Sequence, residues 1–189
     1  MKTSWIDERI TYDGSQLRAH WILARTGLCG DALVAFRGPC AVLGEEIADL
    51  ADIDGPGIAG DDMVHFLWES FEHTDLLLAV HRQRLLSAQA AEVLRELAPQ
   101  CGVRREGDDL YVGAGKLSIS IATVTPVSSM LHFAVNASPG GAPVQTSTLQ
   151  QIGVDGHEFA ARLLDLVSYE QSSIALARAK VRAKGEWRS

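Results

Sequence analysis

The stretch "DDLYVGAGKLSISIATVTPVSSMLHFAVN", residues 108–136, constrains the fold more than any other part of the chain. It joins three strand-like runs by short turns, "GAG" and "TPVSS". Runs linked so closely pair antiparallel, because a parallel crossover needs a dozen or more residues. Helix-like segments lie on both sides of it. The order reads β-α-β-loop-α-α-β-β-β-loop-α, which predicts an α+β fold with a largely antiparallel sheet flanked by helices. A doubly wound nucleotide fold would alternate strands with helices. It would also carry GxGxxG before a helix, and "VGAGKLS" lacks the third glycine.

Upstream, "SWIDERITYDG" reads as a short strand ending in the Asp13-Gly14 turn. Ser15 is placed to cap a helix whose stripe is Leu17, Trp21, Ala24 and Leu28. Ala32 to Phe36 reads as a buried strand broken by Gly38-Pro39, with a second short strand after it. "DDMVHFLWESFEHT" and "DLLLAVHRQRLLSAQAAEVLRELAPQCG" read as two helices. In the second, Leu77, Val80, Leu85, Ala88, Val93 and Leu97 mark the apolar side, and Pro99 and Gly102 end it. A final helix is expected from about His157 to Lys184. The 189 residues suit one domain, 1–189.

A net charge of −7 argues against broad binding to nucleic acid or anionic membranes. The basic tail, Arg178 to Arg188, is the local exception to look at. No apolar run reaches the roughly 18 residues of a membrane span, and the N-terminus has no signal-like stretch. Three cysteines without CxxC spacing imply neither a disulfide framework nor a zinc knuckle. The expectation is a cytoplasmic protein that meets a small-molecule ligand and not nucleic acid or membrane, with a homodimer open.

Lys116 is the single charged residue between Asp109 and Asn136. Alternation puts Leu117, Ile119 and Ile121 on one strand face, against helices. Lys116, Ser118, Ser120 and Ala122 take the other, where small side chains leave room for a ligand. There the lysine either holds an anion as a point charge or guards a strand edge. Arg37, at a strand end, can fork onto a carboxylate or phosphate. Cys40 is either a nucleophile or a small buried hydrophobe. His132 and Asn136 share a face of one strand. Arg82 and Arg84 point to different sides of their helix, and one of them is expected to pair with a carboxylate.

His65, Glu69 and His73 fall at i, i+4 and i+8 on the first middle helix, but no completed ligand set accompanies them, and no metal is expected. Asp49, Asp52 and Asp54 fail the EF-hand spacing. No Ser-His-Asp nucleophile elbow supports a hydrolase.

The set "YDGSQL", "AFRGPC", "RQRLL", "GDDLYVG", "KLSISIATVTPVS" and "LHFAVN" resembles an uncharacterised prokaryotic family, domain of unknown function 366, over almost the whole chain. The order "DDLYV", "GAG", Lys116 and Asn136 is similar to the core of biotin and lipoate protein ligases. That resemblance implies their catalytic-domain architecture. It implies an acyl- or cofactor-handling ligase or transferase in which Lys116, with Arg37, holds a carboxylate or phosphate. ATP or an acyl adenylate is then the open cofactor, and Gly38, Ser118, Ser120, His132 and Asn136 are further substrate-binding candidates. For transfer without ATP, Cys40 is the candidate nucleophile. The alternative is a non-catalytic small-molecule-binding or dimeric interaction protein on the same fold. The sequence departs from the ligase pattern: Gly38-Pro39-Cys40 replaces a glycine loop, Ile119 the motif glycine, and Asp108 an asparagine.

Overall fold

A computed structural model describes residues 1–185. The architecture is α+β. A five-stranded sheet runs in the order β1 (Lys2–Ile6), β2 (Ala32–Val42), β3 (Ile58–Ser70), β8 (Ser129–Asn136), β7 (Ser118–Val124). A three-stranded sheet is formed by β4 (Arg104–Glu106), β5 (Asp109–Val112) and β6 (Gly115–Lys116). Within the larger sheet β1 and β2 run parallel and the other neighbours antiparallel.

The helices are α1 (Trp21–Thr26), α2 (Leu76–Leu97) and α3 (Gly156–Lys180). Asp75 and Asp155 cap the two long ones, each accepting a hydrogen bond from the backbone N–H three residues on, at 2.8 Å. α2 buries Ala79, Gln83, Leu86, Ala90 and Leu94. That face is rotated from the expected stripe, and Leu77 is exposed. The expected helix after Ser15 is mostly turn. Ser15 bonds to Asp13 instead of capping, and α1 starts only at Trp21 behind a left-handed His20.

The expected helix over 61–74 is instead strand β3. Its last eight residues are buried, so it shows a continuous apolar run without alternation. His65 and Glu69 interrupt that run at a spacing that mimics a helical face. Gly38-Pro39 does not break β2 either. Opposite Pro39 stand two β3 residues, Asp61 and Asp62, so a bulge absorbs the proline. The Arg37 and Pro39 carbonyls accept from the N–H groups of Ile10 and Tyr12, which cross beside the strand. A side chain on Gly38 would put its Cβ 2.0 Å from the Ile10 oxygen, so only glycine permits this crossing.

The Gly113–Gly115 turn forms the expected hairpin, with Tyr111 opposite Lys116. The chain then crosses at Leu117 from the smaller sheet into the larger one. The Leu117 N–H still donates to Leu110 at 2.7 Å. Two cores result. On the helix side of the large sheet, Leu33, Phe66 and Phe133 pack with α2 and α3. On the other side, Phe36, Met63, Leu67 and Ala134 pack under the N-terminal segment that contains Tyr12 and Ile22.

Candidate functional site

The side of the sheet away from α2 and α3 is covered by the N-terminal segment and by loops, among them the one between β2 and β3, and two adjoining cavities open there. The larger, about 300 Å³, is lined by Lys116, Asp108, Asp109, Ile119, Asn136 and the Ala142–Thr146 segment, among others. The smaller, about 50 Å³, is lined by Tyr12, Ile121 and His132. Asp49, Asp52, Ile58, Ile119 and Ser120 wall both.

Lys116 reaches this cleft from β6, and Asn136 positions it. The Asn136 side-chain amide donates to the Lys116 carbonyl at 3.1 Å, and its backbone N–H donates to Leu117. The ammonium pairs with Asp109 at 2.8 Å, both side chains being partly exposed. Such a pair is worth about 1 kcal/mol or less, so an incoming anion can displace Asp109 at small cost. Asp108 is held more firmly. It accepts from Gln83 at 2.9 Å and from Ser120 at 2.7 Å, and pairs with Arg84 at 2.9 Å. Arg82 pairs with Glu72. Both arginines of "RQRLL" therefore meet carboxylates, where one was expected.

The faces of β7 are the reverse of the expected ones. Ala122 packs on the helix-side core and the Ser120 hydroxyl meets Gln83 of α2, while Ile119 and Ile121 line the cavities, which Ser120 also borders. Ser118 is fully buried, and its hydroxyl oxygen accepts from the Leu110 N–H at 2.8 Å. It splices the two sheets and lines neither cavity.

Arg37 does not join Lys116. It alternates with Phe36 onto the helix side of the sheet and forks onto Asp62 at 2.9 and 2.5 Å. That contact raises the Arg37 pKa, while hydrogen bonding to Arg37 holds the Asp62 carboxyl below its usual range. Arg9 and Ser138 also bond to Asp62. Gly38 lines neither cavity; its place is explained by the crossing of Ile10. Cys40 is buried beside Ile58, and burial pushes its thiol up to about 12. A thiol held that high stays protonated near neutral pH and is a poor nucleophile.

His65 and Glu69 lie on the cleft side of β3, both buried. Glu69 accepts from the His20 N–H and the Ser128 hydroxyl, tying the N-terminal segment down. His73 lies beyond the strand. Among the described residues no three His, Cys, Asp or Glu side chains gather to hold a metal. His132 and Asn136 do share one face of β8, and each lines one of the two cavities.

Sequence reasoning missed Tyr12, Gln83 and the contact between His65 and His132. The two histidines stand on paired strands, and the signal was hidden by reading β3 as helix. Asp108 and Asp109 were noticed only as part of a motif.

The comparisons with known proteins agree with this architecture. A protein of unknown function from Pyrococcus horikoshi has 41% identity and a TM-score of 0.91, covering 100% of this chain and 99% of its own. An uncharacterized protein of Methanocaldococcus jannaschii is 32% identical over 160 residues, 82% of this chain and 72% of its own. The apo biotin protein ligase of Aquifex aeolicus matches at 12% identity and a TM-score of 0.59, covering 92% of this chain and 71% of its own. A T. acidophilum protein with bound lipoic acid matches at 12% identity and a TM-score of 0.58, over 87% and 84%. At such identities these last two show the fold, which is that of biotin and lipoate ligase catalytic domains. No helix among the described residues is long and apolar enough to cross a membrane. Residues 1–182 match the model of one family, and the chain belongs to it: Domain of unknown function (DUF366).

Proposed function

We propose that this protein binds a small acyl- or cofactor-type molecule in the larger cavity, as a ligase or transferase of the cytoplasm. The observation that supports this reading is the composition of the cleft. Ile58, Met63, Ile119, Pro143 and Val144 give an apolar wall, and Lys116 is the lysine or arginine that lines it. An apolar ligand body with one acidic head suits such a wall. Lys116 holds the head, Asn136 fixes Lys116 in place, and the weak pair with Asp109 opens on binding. Arg37 has no part in this reading, because it is spent on Asp62 across the sheet.

Four aspartates line the same cavity, Asp49, Asp52, Asp108 and Asp109. They oppose a polyanion, so ATP enters with a divalent cation to offset its charge, whereas an acyl adenylate brings a single phosphate charge. Three unpaired cysteines fit a reducing compartment.

A thermal-shift screen with lipoate, octanoate, biotin and ATP, each with and without magnesium, tests the reading. A ligand present at 100 times its Kd stabilises by about 2.7 kcal/mol, a rise of a few degrees at this chain length. No shift from any of them sinks it.

A non-catalytic binding protein on the same fold is the second reading. The buried, protonated Cys40 favours it, since it removes the nucleophile that transfer without ATP would use. Pyrophosphate release from ATP with octanoate separates the two, since a binder releases none.

A further inference from the structure

His65 and His132 form a buried pair whose protons are fixed by a single carbonyl. His65 Nε2 lies 3.1 Å from the Gly38 carbonyl oxygen. A carbonyl can only accept, so His65 Nε2 carries the hydrogen. A neutral imidazole has one N–H, which leaves His65 Nδ1 as a lone pair. That atom lies 3.0 Å from His132 Nε2, which must then be the donor. By the same rule His132 Nδ1 is an acceptor. No hydrogen-bond partner for it stands among the described residues, yet it is absent from their buried side-chain atoms left unpaired, which are Trp68 Nε1, His73 Nε2 and Gln89 Oε1. His132, only 2% exposed, lines the small cavity.

We propose that this relay presents His132 Nδ1 as a hydrogen-bond acceptor in the small cavity, for a ligand group carrying an N–H or O–H donor. A cavity of about 50 Å³ takes a group of a few heavy atoms. An amide or a hydroxyl fits, and a carboxylate, which has no hydrogen to give, does not. The site deepens the cleft reading and rests on it only for the remainder of the ligand: Lys116 selects the acidic head in one chamber and His132 the donor in the other.

The surroundings keep the relay neutral. The Tyr12 ring stacks on His132 with centroids 3.5 Å apart and planes 8° from parallel. Phe36 stacks on His65 at 5.0 Å. The charged group that acts on His65 is Asp62, behind the sheet, while Glu46, Asp13 and the Cys40 thiol lie near Tyr12. Burial is the main cause that pushes both imidazoles down, His65 to about 4 and His132 well below its ordinary value, so that both are uncharged near pH 7.

Long-range proton–nitrogen NMR of the histidine-labelled protein tests this without any acyl ligand. His132 should show a protonated Nε2 and an unprotonated Nδ1, and His65 the same pattern. Titration with acetamide, a donor probe, should then move His132 Nδ1 and saturate. N,N-dimethylacetamide, which has no donor, should bind at least about tenfold more weakly, the loss of one hydrogen bond. Neither amide carries an acidic head for Lys116 to hold, so failure of the acyl screen leaves this result intact. A protonated His132 Nδ1, or equal response to both amides, overturns the proposal. His65→Phe removes the constraint and should mix the His132 tautomers; an unchanged His132 pattern in a folded variant would also overturn it. If that variant does not fold, the spectrum and titrations of the unaltered protein decide.

Discussion

On one side of the five-stranded sheet, Phe66 stands 6.0 Å from Phe133 and meets Phe159 of α3 edge-on at 5.8 Å. On the other side, the same two strands present His65 and His132 to each other at 3.0 Å. The helix side is closed by two long helices and filled with hydrocarbon. The cleft side is closed by an N-terminal segment and loops, and it carries the buried His65, Glu69 and His132 and the two adjoining cavities. Side chains that alternate along β3 and β8 thus serve two purposes, stability on one face and recognition on the other. Buried polar groups are tolerated where hydrogen bonds satisfy them, as the serine and backbone N–H groups around Glu69 do.

The largest test of that division is Phe66→Ala. Removing a fully buried aromatic from a closed, helix-covered core should cost about 3–5 kcal/mol in urea unfolding. A cost under 1 kcal/mol would mean the helix side is not the stabilising one.

The cleft side should announce itself through pH. His65 is held at about 4 in the folded chain, against 6.5 as its ordinary value. Between those two values the unfolded chain binds the proton and the folded chain does not. Stability is therefore complete above about pH 6.5 and falls as pH drops toward 4. For His65 alone the loss between pH 7 and pH 5 is about 2 kcal/mol, at roughly 1.4 kcal/mol per pH unit. His132 and the partly buried His73 are lowered too and act in the same direction. Urea midpoints measured across this range should fall steeply, and flat midpoints would show that the two imidazoles are not buried neutral.

Lys116→Met sharpens the comparison within the cleft. Ligand affinity should drop tenfold to a hundredfold, the equivalent of losing a charge-assisted hydrogen bond of roughly 1.5–3 kcal/mol. Stability without ligand should move by about 0.5 kcal/mol, since the pair with Asp109 is partly exposed. Unchanged affinity for a ligand found in the screen would reduce Lys116 to an edge lysine.

The α+β class and the hairpin at Gly113–Gly115, with Lys116 just after its turn, were legible because turns are local signals. The two central strands were harder. β8 and most of β3 are buried on both faces, so period-2 alternation is absent and an apolar run of that length also suits a helix. The proline in β2 read as a break because its acceptance depends on a bulge in the partner strand. Which face of β7 met the helices was set by Gln83, a residue thirty-seven positions away. No local pattern encodes that contact.

Arg37 supplies the smallest expected effect and the sharpest contrast with Lys116. Both are basic residues on strands, Arg37 within β2 and Lys116 at the end of β6, and both have an aspartate partner. They differ in the side of the sheet they occupy. The Arg37 guanidinium is anchored by two hydrogen-bonding nitrogens and sits among Asp62, Arg9 and Ser138, close to the start of α3, where Asp155 also acts on it. Replacing Arg37 with Met keeps the aliphatic stem and removes the fork. Its side chain is 40% exposed, so solvent screens much of the interaction. The expected loss is about 1 kcal/mol or less, and Arg9 remains to compensate Asp62. The affinity for any ligand of the cleft should stay within about twofold of the unaltered protein, because the sheet separates Arg37 from the cavity. Isothermal titration of the Arg37→Met and Lys116→Met proteins with one identified ligand gives the comparison directly. Equal losses in the two variants would mean that Arg37 reaches the ligand after all, and the division of the sheet into a stabilising and a recognising face would fail at that point.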